Sequence, residues 1–135
     1  MELEKRFPRE FTALESILDF VLEFYERSGI AAPDPSQVQL MIEEIFTNMI
    51  KYNDGHQNIS IRLRRMGDHL EICLTDFDVE PFDYASAPEV DTEQLLERKQ
   101  SGGLGLHLVK KMADRMTYEY VDRNSKLTIL KRLGG

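Results

Sequence analysis

A chain of 135 residues, 41% hydrophobic and 30% charged, has the size and balance of one soluble globular domain with a real core, expected to run over residues 1–135. The formal net charge of −7 excludes the clustered positive surface that grips nucleic-acid phosphates, and no apolar run is long enough to cross a bilayer. The lone cysteine, Cys73, excludes a disulfide within these residues and a cysteine-based zinc site; the charged opening "MELEKRFPRE" lacks a signal-peptide core, so a cytoplasmic location is expected.

In chain order, Glu2 to Phe7 alternates as an edge strand. Glu10 to Arg27 reads as a helix, with Phe11, Leu14, Ile17, Leu18, Val21, Leu22 and Tyr25 as its apolar stripe and Ser28-Gly29 as its stop. The loop "AAPDPS" follows, in which Asp34 or Ser36 caps a second helix running from about Ser36 to about Asn53. Its core stripe is Val38, Met41, Ile42, Ile45, Phe46 and Met49, and "NDG" ends it. Asn58 to Arg65 and Leu70 to Asp76 form a hairpin across Met66–His69. Arg62, Arg64 and Arg65 on this hairpin read as a solvated face or as a contact for an acidic partner.

From Phe77 to Ser101 the periodicity dissolves into an acidic, proline-containing stretch with one short helical pattern near Thr92 to Arg98. A functional lid at about 77–101 is expected there. Gly105 to Arg115 is the third helix, and Met116 onward closes as a second hairpin with its turn at Asp122–Ser125. Strands paired in hairpins between helices predict an α+β fold. We expect a two-layer α/β sandwich whose mixed or antiparallel sheet carries its helices on one face.

Three features carry chemistry. Glu44 and Asn48 lie four residues apart on one helix face. Read alone, they are a solvated acid–amide pair, or a carboxylate base beside an amide oxygen for Mg²⁺, which keeps several waters and needs few protein ligands. Asp76 ends a strand, and its carboxylate can accept the exocyclic amine of adenine; Asp78 follows two residues on. Gly102, Gly103 and Gly105 open a helix, where bare backbone N–H groups suit an anion or make a hinge. Their spacing is neither a P-loop nor a dinucleotide fingerprint. His56, His69 and His107 are too scattered for a metal site, and Cys73 reads as a small core residue.

The order Glu44-x-x-x-Asn48, a strand-end aspartate, a long lid and a G-G-x-G-L helix start resembles the Bergerat-fold ATPases. Within them it is most similar to the RsbW-like anti-sigma-factor serine/threonine kinases. Glu44-Ile45-Phe46-Thr47-Asn48, Pro81-Phe82-Asp83 and Gly102 to Val109 match that branch, and the likeness covers nearly the whole chain.

The resemblance implies Glu44 as general base toward a target serine or threonine hydroxyl, Asn48 as Mg²⁺ ligand and Asp76 as adenine reader. It implies phosphate contacts at Gly103 and Gly105 within the run Gly102–Leu106, a point charge at Lys99, and Thr128 on the adenine side of the pocket. It implies ATP and Mg²⁺ as cofactors, a sigma factor and a STAS-domain antagonist as partners, and a homodimer.

One departure stands out: the family's D-x-G reads Asp76-Phe77-Asp78 here, so Asp78 falls where a glycine normally meets the nucleotide. Counting back from Phe82 also sets Phe77 against the first aspartate, and Tyr52 stands where many relatives carry histidine. The rival readings are a non-catalytic or weakly ATP-binding partner-switching module of the same fold, and an ATPase or histidine-kinase fragment.

Overall fold

The computed structural model describes residues 1–81 and 108–134. Strand β1 spans Glu2–Phe7, a 3-10 turn Phe11–Ala13, helix α1 Leu14–Ser28 and helix α2 Pro35–Tyr52. Strands β2 (Ile59–Met66), β3 (His69–Asp76), β4 (Arg115–Val121) and β5 (Asn124–Arg132) follow. They form one five-stranded sheet in the order β1-β2-β3-β5-β4, antiparallel at every junction, with β1 on an edge as its short alternating pattern predicts.

Local chemistry explains the boundaries. Gly29, at φ 73°, ends α1 in the left-handed region with its N–H on the Tyr25 carbonyl. Pro35 sits at the start of α2, and the Asp34 carboxylate accepts the Ser36 N–H at 2.9 Å, which resolves the cap in favour of Asp34. The β4–β5 hairpin turns on Asp122 and Arg123, both at positive φ.

Period-two alternation divides the sheet. Ile59, Ile61, Leu63, Leu70, Ile72, Leu74, Leu127 and Ile129 join the α2 stripe (Val38, Met41, Ile42, Ile45, Phe46 and Met49) in one core. The opposite face carries charge and hydroxyls. Arg62 and Arg64 there hydrogen-bond the Glu71 carboxylate at 2.9 and 3.0 Å, so they already have acidic partners within the sheet. Among the described residues no helix is long and apolar enough to cross a membrane.

Two expectations need correction. The buried stripe of α1 is Ile17, Phe20, Val21, Phe24 and Tyr25, whereas Phe11, Leu18 and Leu22 stay exposed. The helix is apolar on more than one side, and packing against the sheet and α2 selects the side with the phenylalanines. The third helix also ends early: residues 108–112 are helical, and Arg115 already belongs to β4. Asp114 starts that change, since its N–H bonds the Leu130 carbonyl at 2.9 Å and its carboxylate accepts the Arg132 N–H at 2.5 Å. Most of the expected lid, the Thr92–Arg98 helix, Phe82, Asp83 and His107 lie outside the described residues, as do Lys99, Gly102, Gly103, Gly105 and Leu106.

Candidate functional site

The α2 stripe turns its apolar side to the sheet, which leaves Glu44 and Asn48, one turn apart, on an adjoining side. Glu44 is half-buried. Burial pushes its carboxyl pKa above the usual glutamate range; the neighbouring Glu43 carboxylate adds to the rise, and Lys51 opposes it. A carboxylate held this way is a better proton acceptor than an exposed one.

Asn48 is 1% exposed. Its Nδ2 donates to the Glu44 carbonyl at 2.6 Å, while its Oδ1 is buried with no protein partner. An unpaired buried carbonyl costs roughly 1–3 kcal/mol. Such an oxygen suits a hard cation that takes oxygen ligands and brings its own waters, so Asn48 fits the magnesium role.

Asp76 closes β3 on the same face of the sheet as the core and is 0% exposed. This settles the register: Asp76, not Phe77, faces the helices, while Phe77 lies on the other face beneath the Arg6 guanidinium, 4.3 Å from its ring centroid. Each oxygen of the carboxylate has a donor from within the protein. Oδ1 pairs with Arg9, Oδ2 accepts from Asn53 Nδ2 at 2.8 Å, and Arg9 also donates to the Met49 carbonyl at 2.8 Å. Asp76 is thereby fastened to the last turns of α2, just past Asn48. A base approaching this corner meets a carboxylate that is closed to solvent and already paired on both oxygens.

Asp78 adopts φ 54°, the left-handed backbone that glycine supplies most cheaply and that aspartate tolerates better than most residues. Its exposed carboxylate turns away to the β4–β5 turn and accepts from Arg123 Nε at 2.7 Å. Arg123 also reaches Glu80 at 3.2 Å, and the two hydrogen bonds, Asp78 first, raise the guanidinium pKa further. Val79 completes the clasp: its N–H donates to the Arg123 carbonyl at 2.9 Å, and its carbonyl accepts from Tyr120 Oη at 2.7 Å.

Thr128 does not join the site. It pairs with Cys73 across β3 and β5, and its hydroxyl lies 3.7 Å from Cys73 Sγ on the face away from the helices. The hydroxyl beside Asp76 on the helix side is that of Ser125, 0% exposed, which donates to Tyr118 Oη at 3.2 Å.

Tyr52, Asn53, Asp54, Glu80 and Pro81 line a cavity of ≈ 260 Å³ at this corner. A larger cavity of ≈ 530 Å³ lies on the opposite sheet face among Arg6, Arg62, Thr75, Phe77 and Lys126, and no predicted site residue lines either cavity. Size alone does not locate the chemistry. Sequence reasoning missed Arg9 and Asn53; their link to Asp76 spans 67 and 23 residues, which no local pattern registers.

An antiparallel sheet with helices on one face, and an acid and an amide one turn apart on the central helix, defines an ATPase-type domain of the histidine kinase class. The histidine kinase-like ATPase domain family matches residues 7–131, and the chain belongs to that family. The serine-protein kinase RsbW of Staphylococcus aureus (strain bovine RF122 / ET3-1) is 24% identical over 135 residues, covering 94% of this chain and 82% of the relative. Among solved structures, the RsbU and RsbW domains of Rv1364c from Mycobacterium tuberculosis superpose with a TM-score of 0.69 at 12% identity. That match covers 98% of this chain and 32% of the other. The SiaB–SiaC complex from Pseudomonas aeruginosa gives 0.62 at 14% identity, covering 95% and 88%. The histidine kinase AdeS of Acinetobacter baumannii gives 0.51 at 15% identity, covering 98% and 68%. These structural likenesses are likenesses of fold.

Proposed function

We propose that the chain is an anti-sigma regulatory factor with Mg-ATP-dependent serine/threonine protein kinase activity. It holds a sigma factor in one complex and phosphorylates a STAS-type antagonist in another, as a cytoplasmic homodimer. The similarity to RsbW, named a serine-protein kinase, supports this reading. The observation that carries it is the buried, unpartnered Oδ1 of Asn48 one turn from a glutamate whose proton affinity burial has raised.

Glu44 accepts the proton of the attacking serine or threonine hydroxyl, and its half-buried setting limits competition from water. Asn48 holds the metal through Oδ1 while its Nδ2 stays fixed on the Glu44 carbonyl, which orients the amide. Magnesium nucleotide supplies the transferable phosphoryl group and the charge neutralisation that such transfer needs. On the sequence resemblance, Gly102, Gly103, Gly105 and Leu106 form the phosphate-binding turn, with Lys99 nearby and residues 77–101 as lid.

The test is transfer of labelled γ-phosphate from ATP, with and without Mg²⁺, to STAS-domain proteins from the same genome. Metal-dependent phosphoserine or phosphothreonine is expected; acid-labile phosphohistidine would overturn the assignment. A second reading, a partner-switching module that binds nucleotide weakly or not at all, is favoured by the engagement of Asp76 with Arg9 and Asn53. Absence of ATP binding at millimolar nucleotide would select it.

A further inference from the structure

The amine of adenine is a hydrogen-bond donor, and reading it requires an acceptor with a free lone pair that the base can reach. Asp76 fails the second condition: it is fully buried, and Arg9 on one oxygen and Asn53 on the other stand where a base would have to approach. Arg9 leaves the connector between β1 and the 3-10 turn, and its side chain is 12% exposed. Its fork reaches Asp76, the Met49 carbonyl at 2.8 Å and the Gln57 carbonyl at 3.5 Å. A guanidinium presents several donors in a fixed plane, so one side chain ties the β1 connector, the end of α2, the loop before β2 and the end of β3.

The loop is cut to admit it. A Cβ on Gly55 would come within 2.9 Å of Arg9 Nη1 and 2.7 Å of Val79 Cγ1, so the bare backbone at Gly55 gives the guanidinium its path.

We propose that Arg9 is a specificity-determining residue that takes, from within the protein, the place of the adenine amine on Asp76. Nucleotide is then held through its phosphates and metal without selection of the base, and the chain accepts ATP and GTP alike. The inference rests on the nucleotide-binding reading above.

The experiment titrates the full chain, wild type and Arg9→Ala, with MgATP and MgGTP by calorimetry. Wild type should bind the two with dissociation constants within about threefold of each other, less than one hydrogen bond to a charged group discriminates. Arg9→Ala frees Asp76 and should gain roughly tenfold or more for ATP, with GTP unchanged. A wild-type preference for ATP of about tenfold or more would overturn the role of Arg9 and leave the nucleotide reading intact. A folded Arg9→Ala with no gain for ATP would also overturn it. Binding of neither nucleotide by either protein would overturn the nucleotide reading, and this inference with it. Should Arg9→Ala fail to fold, the wild-type ratio alone decides.

Discussion

Asn48→Ala separates a ligand-binding asparagine from a structural one. The substitution removes the 2.6 Å hydrogen bond from Nδ2 to the Glu44 carbonyl, a loss of about 1 kcal/mol. It opens a small cavity in a site that is 1% exposed, a further cost of about 1 kcal/mol. Against these it relieves the buried, unpaired Oδ1, a gain of roughly 1–3 kcal/mol. Alanine also suits a helix interior better than asparagine, by roughly half a kcal/mol. The net expectation runs from about half a kcal/mol less stable to ~1.5 kcal/mol more stable. The same truncation at Ile45, on the apolar stripe of the same helix, should cost about 2–5 kcal/mol. Urea unfolding followed by far-UV circular dichroism measures both, since the chain has no tryptophan to report by fluorescence. Metal-dependent nucleotide binding should vanish in Asn48→Ala while stability stays nearly unchanged or rises. A loss of more than about 2 kcal/mol would refute the reasoning and make Asn48 a structural residue.

Glu44→Ala should abolish phosphotransfer while leaving the partner complexes intact in a pull-down; unchanged transfer would remove Glu44 as the base. Gly55→Ala should cost roughly 1–3 kcal/mol, because its Cβ would overlap Val79 and Arg9, and a thermal melt within error of wild type would show that the loop yields freely. Tyr25 supplies a pH dependence. Burial, and secondarily the Asp34 carboxylate, pushes its hydroxyl up to about 12, and it donates to the Pro33 carbonyl at 2.5 Å. The folded state therefore holds this proton more tightly than the unfolded chain, which titrates near 10. The contribution, on the order of 2–3 kcal/mol, is complete below about pH 10 and is lost as pH rises through about 12. Urea midpoints between about pH 9 and 11 should fall faster for wild type than for Tyr25→Phe, and parallel curves would show that Tyr25 carries no such linkage.

Much of the fold was legible because its signals are local. Helical periodicity named every buried residue of the α2 apolar stripe, and turn chemistry placed both hairpins. The same logic misphased α1, where apolar residues wrap more than one side and periodicity cannot choose among them. Leu18 and Leu22 were expected inside, and Phe20 and Phe24 took their places. The Glu44–Asn48 pairing was readable for the same reason as the stripe: four residues along a helix is a fixed geometry.

The sequence by itself determined the element order, the antiparallel pairing implied by short hairpin turns, and the juxtaposition of acid and amide on α2. Tertiary structure decided everything that depends on strand parity or on long-range partners. A one-residue step flips a side chain across a sheet, so pairing with Cys73 sends Thr128 to the open face and leaves Ser125 beside Asp76. What Asp76 can accept depends on Arg9, which lies 67 residues away and meets it only once β1, α2 and β3 have assembled around one corner. Spacing along a chain carries no information about such a meeting, because the contact is set by how whole elements pack and not by the residues between them.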